Sequence, residues 1–284
     1  MLKKIFFAAA LLLASELIAK PVVIASIAPV EYLAKAVGGD KIEVQSLAKG
    51  DVHSYEPKPN DMKAVAKARI FIAAGLEFEE AWIPRFKASA KNLVVVKSDA
   101  KIAKLKEERG EQAEHDEKHE AHADPHVWLN PMLAITMARN ISDALIDMDK
   151  ANKDFYLENF QKLMNDLLAF DESAKESLAG LKNRKFVVYH PAWGYFAAHY
   201  DLEQISIERS GKEPKIDEMA STLKMIKDKN IKVIFADPNR SQKSAQILAS
   251  QTGAKVELLD PLGYNLLENL KIAVGAIKDA NSPK

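Results

Sequence analysis

The chain has 284 residues, with 40 basic and 40 acidic side chains, 48% hydrophobic residues and no cysteine. Balanced charge offers no basic surface for nucleic acid or an anionic membrane, and the lack of thiols excludes a disulfide framework and any thiolate metal site. The length allows two lobes with cores of their own, since domains commonly run ~100 to 200 residues.

Residues 1–19 read as an export signal. Lys3 and Lys4 precede an apolar run from Ile5 to Leu13, and Ala19 offers a small residue for cleavage before Lys20-Pro21. The run is well short of the ~20 residues a membrane span needs. Leu17 fits a small-x-small site poorly, so the cut is expected within a few residues of Ala19. Loss of this segment removes Lys3, Lys4 and Glu16 and leaves a formal charge near minus one. No cysteine is present to carry a lipid, so the expected product is a soluble, monomeric periplasmic protein with no nucleic-acid partner.

From residue 20 to about 150 the pattern alternates strand and helix. Val22–Ile27 is a β-branched run, and Pro29 opens a helical pattern that stops at Gly38-Gly39. Ile42–Leu47 alternates like a strand, Asp61–Ala68 reads as a short helix, and Ile70–Ala74 is an apolar strand ended by Gly75. A helix from Glu79 and the run Leu93–Val96 follow. Continuous apolar strands between helices imply a parallel sheet covered on both faces, with ligands expected beyond the carboxyl ends of the strands. His53 stands at such a place, in the loop Gly50–Pro57.

Residues 107–123 are acidic and histidine-rich and contain no large apolar side chain, so they are expected to form a mobile loop. His115 and His119 have the i, i+4 spacing of a zinc-hydrolase helix, with Asp116 in the acidic slot. That chemistry needs a packed helix, a third ligand and a base, and this run has no apolar face to lock one. His115, His119 and His122 therefore read either as a weak metal-collecting tether or as part of a solvated insertion. Directly after them, Asp124-Pro125-His126-Val127-Trp128-Leu129-Asn130-Pro131 places a histidine between prolines in a partly apolar segment.

A helix is expected from Met132 to about Asp147, and another over residues 151–180, stopped by Gly180. The second would be ~40 Å long at 1.5 Å per residue, long enough to serve as a rigid spine between two lobes. Residues 181–284 again read as α/β, with strands near Phe186–Tyr189, Lys232–Ala236 and Val256–Leu259. These run into His190, Asp237 and Asp260 respectively, while His199, nine residues further on than His190, reads as an ordinary surface or core histidine.

Four motifs in order, His53-Ser-Tyr-Glu-Pro57, Asp124–Pro131, His190-Pro-Ala-Trp-Gly-Tyr-Phe196 and Asp260-Pro-Leu-Gly263, resemble those of the periplasmic metal-binding proteins of zinc ABC importers, the cluster A-I solute-binding family. The resemblance spans the whole mature chain. It implies two α/β lobes joined by one rigid helix, with the metal in the cleft between them. It also implies His53 and His126 as ligands from the first lobe, His190 from the second, and Asp260 as a fourth ligand or a close neighbour. A carboxylate usually replaces His190 in the manganese branch, so the histidine favours Zn²⁺, as does a nitrogen-rich, four-coordinate set. Some zinc-binding members carry an acidic residue just before the first histidine; Val52 stands here, leaving room for a water.

Asp124, Glu56 or a backbone carbonyl are candidates to accept the far N–H of a ligating imidazole, and Trp128, Trp193 and Tyr195 read as packing residues. The function implied is capture of Zn²⁺ and its delivery to an inner-membrane ABC permease, without catalysis. The alternatives are a manganese or iron carrier of the same class, a zinc-dependent hydrolase, and an exported adhesin, for which no sequence feature speaks directly.

Overall fold

A computed structural model describes residues 19–106, 123–208 and 216–281, with backbone alone at 216 and 217. Residues 1–18, most of the 1–19 stretch expected to be an export signal, lie outside the described residues, as do His115, His119 and His122.

Each lobe is a four-stranded, wholly parallel sheet. In the first, β1 (Val22–Ala25), β2 (Glu43–Ser46), β3 (Ile70–Ala73) and β4 (Val94–Lys97) stand in the order β2-β1-β3-β4. In the second, β5 (Lys185–Val188), β6 (Glu203–Ser206), β7 (Val233–Ala236) and β8 (Lys255–Leu258) repeat that order as β6-β5-β7-β8. The central strands are buried almost throughout, as their unbroken apolar runs require, whereas the edge strands β2, β4 and β8 are partly exposed. In each sheet the chain leaves its first strand toward one edge and returns to the other side of it. The crevice where ligands bind in such sheets opens at that reversal.

The first-lobe helices start within two residues of the expected positions, Pro29, Asp61, Glu79 and Met132. In the first lobe α1 (Ala28–Gly38), α2 (Pro59–Val65) and α3 (Glu77–Ser89) alternate with the strands. A single 3₁₀ turn, Val127–Leu129, leads into α4 (Pro131–Met148). Asn130 caps α4 by accepting from Met132 N at 2.9 Å and Leu133 N at 3.3 Å, and Pro131 fills the first helical position, where its missing N–H is harmless. The cap fixes the direction of the segment that carries His126.

Next comes α5 (Lys153–Ala179), 27 residues long, which joins the lobes. Its buried face runs from Tyr156 and Phe160 through Leu167 to Ala174 and Leu178, and it belongs to one apolar cluster that includes Val23 and Trp128 of the first lobe and Phe186 and Trp193 of the second. The second lobe is completed by α6 (Gly194–His199), α7 (Ile216–Asp228), α8 (Lys243–Thr252) and α9 (Leu266–Asn281). His199 is thus the last residue of a short helix, where its Nε2 lies 2.6 Å from Asp171 Oδ1 of α5 and ties α6 to the spine.

Candidate metal centre

Three imidazoles meet in the cleft, each delivered by a different segment. His53 sits in the turn that follows β2, His126 just ahead of the 3₁₀ turn in the first lobe, and His190 two residues beyond β5 in the second. Their ring centroids are 5.0 to 5.5 Å apart, and one ligand nitrogen from each lies within 4.8 Å of the other two. Among the described residues this is the group of histidines and carboxylates with the spacing of a metal site.

Two of the rings are held from behind by carboxylates. His126 Nδ1 lies 2.7 Å from Asp124 Oδ1, and the same oxygen accepts from the His126 backbone N–H at 2.9 Å. His190 Nδ1 lies 2.8 Å from Glu208 Oε2. A carboxylate at Nδ1 selects the tautomer that leaves Nε2 with a free lone pair, the form in which imidazole binds a metal. His190 Nε2 is buried and has no hydrogen-bond partner among the described residues, an arrangement that is costly unless something fills it.

The electrostatics keep His53 and His190 neutral. Burial, then the neighbouring His126 and the Arg240 guanidinium, hold the His53 imidazole down at about 4. Burial first, then His126, Arg240 and His53, push His190 well below its ordinary value. Three imidazole nitrogens within reach of a common point are an incomplete shell for a cation such as Zn²⁺.

A small cavity, with room for about one water-sized particle, lies between them. Its wall includes Val52, Asp237, Arg240, Pro261 and Leu262 beside the three histidines. Asp260 follows β8 as expected, but its Oδ1 accepts from Asn239 Nδ2 at 2.7 Å and from Leu262 N at 2.8 Å, and it is not one of the three clustered groups. Asp237, whose carboxyl is pushed up chiefly by burial, stands on the cavity wall, with Oδ1 accepting from both nitrogens of Asn239.

Of the orienting groups considered from sequence, Asp124 takes that place and Glu56 is exposed. Glu208 was missed because it follows β6, an edge strand whose Glu203-Gln204-Ile205-Ser206 lacks the apolar run that marks the other strands of the lobe. Leu202, Ile205 and Ile207 around it were the available signal. The aromatic residues pack as expected and also stitch the lobes together. Trp128 Nε1 donates to Pro261 O at 2.7 Å, and Tyr195 Oη donates to Asp124 O while accepting from Leu105 N, each at 2.8 Å.

Residues 23–280 match the family model described as the periplasmic zinc-uptake complex component A, ZnuA. The chain belongs to this family. Members of the ZnuA family are extracytoplasmic solute-binding receptors, and among the described residues no helix is long and apolar enough to cross a membrane. The high-affinity zinc uptake system protein ZnuA of Bacillus subtilis is 30% identical over 279 residues, covering 91% of this chain and 86% of that protein. A putative metal-binding protein of Treponema pallidum is 34% identical over 243 residues, covering 82% of this chain and 77% of that one. A crystal structure of a ZnuA superposes with a TM-score of 0.86 at 36% identity, covering 93% of this chain and 100% of the other.

Proposed function

We propose that this ZnuA-family protein captures Zn²⁺ outside the cytoplasm and hands it to the membrane permease of an ABC importer. His53, His126 and His190 are the ligands, and Asp260 or a water is the fourth. The observation that carries this reading is the buried His190 Nε2, without a partner among the described residues, beside two further imidazoles, with Asp124 and Glu208 at Nδ1 of two of the rings. The nitrogen-rich donor set favours zinc over manganese, which prefers more oxygen.

Binding alone is the activity, with no bond made or broken. A hydrolase would also need space for an organic substrate beside the ion, and a cavity the size of one water does not supply it. Lobes of residues 20–150 and 181–284, joined by the spine at 151–180, present the ion in the cleft between them. Export by cleavage after about residue 19 places the mature chain in the periplasm. It is free of a lipid anchor because the sequence has no cysteine to carry one, and it acts as a monomer. The histidines at 115, 119 and 122 collect metal weakly and are dispensable for the tight site.

Competitive zinc titration tests the assignment. Replacing His53, His126 or His190 by Ala is expected to weaken zinc binding by orders of magnitude, while deleting residues 111–122 leaves the affinity unchanged. Equal losses from both kinds of change would refute it.

A further inference from the structure

Beyond the imidazoles, one side chain touches the supports of both lobes' ligands. Arg240, in the turn after β7, places one terminal nitrogen 3.2 Å from Glu208 Oε1 and the other 3.4 Å from Asp51 Oδ1. Glu208 uses its other oxygen to hold the His190 ring. Asp51 shapes the turn that presents His53, with Oδ1 accepting from His53 N at 3.2 Å and Oδ2 from Ser54 Oγ at 3.1 Å. A continuous side-chain path therefore runs from the His53 turn through Asp51, Arg240 and Glu208 to the His190 ring. Glu208 is 2% exposed, and a carboxylate so buried needs a countercharge. A guanidinium can supply it while reaching a second carboxylate with its other arm, whereas an ammonium is a single point charge.

We infer that Arg240 is a positioning residue that couples the ligands of the two lobes: by bridging Asp51 to Glu208 it keeps the His53 turn and the His190 ring in register, so that a bound ion leaves only when the bridge opens. The inference rests on the proposed zinc site. Arg240 itself cannot ligate a cation, and it acts through the groups that hold the ligands.

The test is the zinc dissociation rate of the mature protein at neutral pH, read by stopped flow against excess chelator, with zinc content and thermal unfolding of each metal-free variant measured alongside. Arg240→Ala is expected to keep one zinc per chain and to release it about 10 to 100 times faster. Arg240→Lys should release it nearly as fast, because charge is kept but the two-armed bridge is lost. Asp51→Asn and Glu208→Gln should be non-additive on the rate by about threefold or more, and additive once Arg240 is Ala. A wild-type rate in Arg240→Lys, an additive cycle, or variants that change only thermal stability would overturn the bridge and leave the zinc site standing. A wild-type protein that holds no tight zinc would remove the site and the bridge with it.

Discussion

At the scale of single residues, two of the three donors, His53 and His190, are held in the neutral form that binds metal. His53 is held at about 4 and His190 well below 6.5, so at these two donors protons compete with metal only in acid. Zinc affinity is therefore expected to fall most steeply toward pH 4, where His53 takes up its proton; a fall already complete by pH 5 would contradict the close grouping of His53 with His126, His190 and Arg240. The same shifts carry a stability consequence. Between 6.5 and about 4 the unfolded chain binds more protons at His53 and His190 than the folded one, so the metal-free protein loses stability as pH falls through that window. Urea midpoints measured at several pH values check this. Asp124 contributes differently, by orientation. Asp124→Ala leaves His126 Nδ1 without its acceptor, and a loss of about 10 to 100-fold in zinc affinity is expected by competitive titration.

At the scale of elements, what was legible in the sequence is what periodicity and turn chemistry encode. The apolar runs of β1, β3, β5 and β7 are central strands buried among helices, and Asn130-Pro131 is a helix start because each residue has one good use there. The placement of His53, His126 and His190 at strand ends or just before a helix was readable for the same reason. Edge strand β6 was not, because half of its faces meet solvent and its sequence is largely polar, and Glu208 was lost with it. Contacts between distant segments left no local trace either: Arg240 is 189 residues from Asp51 and Trp128 is 133 from Pro261. Tyr195 illustrates such a contact. It joins α6 to the segment ahead of His126, and Tyr195→Phe removes both the donor to Asp124 O and the acceptor for Leu105 N. A loss of about 1–3 kcal/mol in the unfolding free energy of the metal-free protein is expected from urea denaturation.

For the whole molecule, the decisive feature is that the lobes are not separate bodies on a soft linker. The 27-residue α5 and the apolar cluster it shares with both lobes make a stiff frame around the cleft. Thermal unfolding of the metal-free protein is accordingly expected as one transition, and an excess of zinc of 1,000 times Kd should stabilise the fold by about 4 kcal/mol. Two well-separated transitions in calorimetry would mean that the lobes are independent and the spine only a tether. The account stands most directly on the coordination shell itself, which X-ray absorption at the zinc edge of the loaded mature protein measures. It predicts one tightly held zinc per chain, four-coordinate, with three imidazole nitrogens at ~2.0–2.1 Å and one oxygen. A six-coordinate, oxygen-rich shell, or a spectrum unchanged by replacing His190, would contradict it.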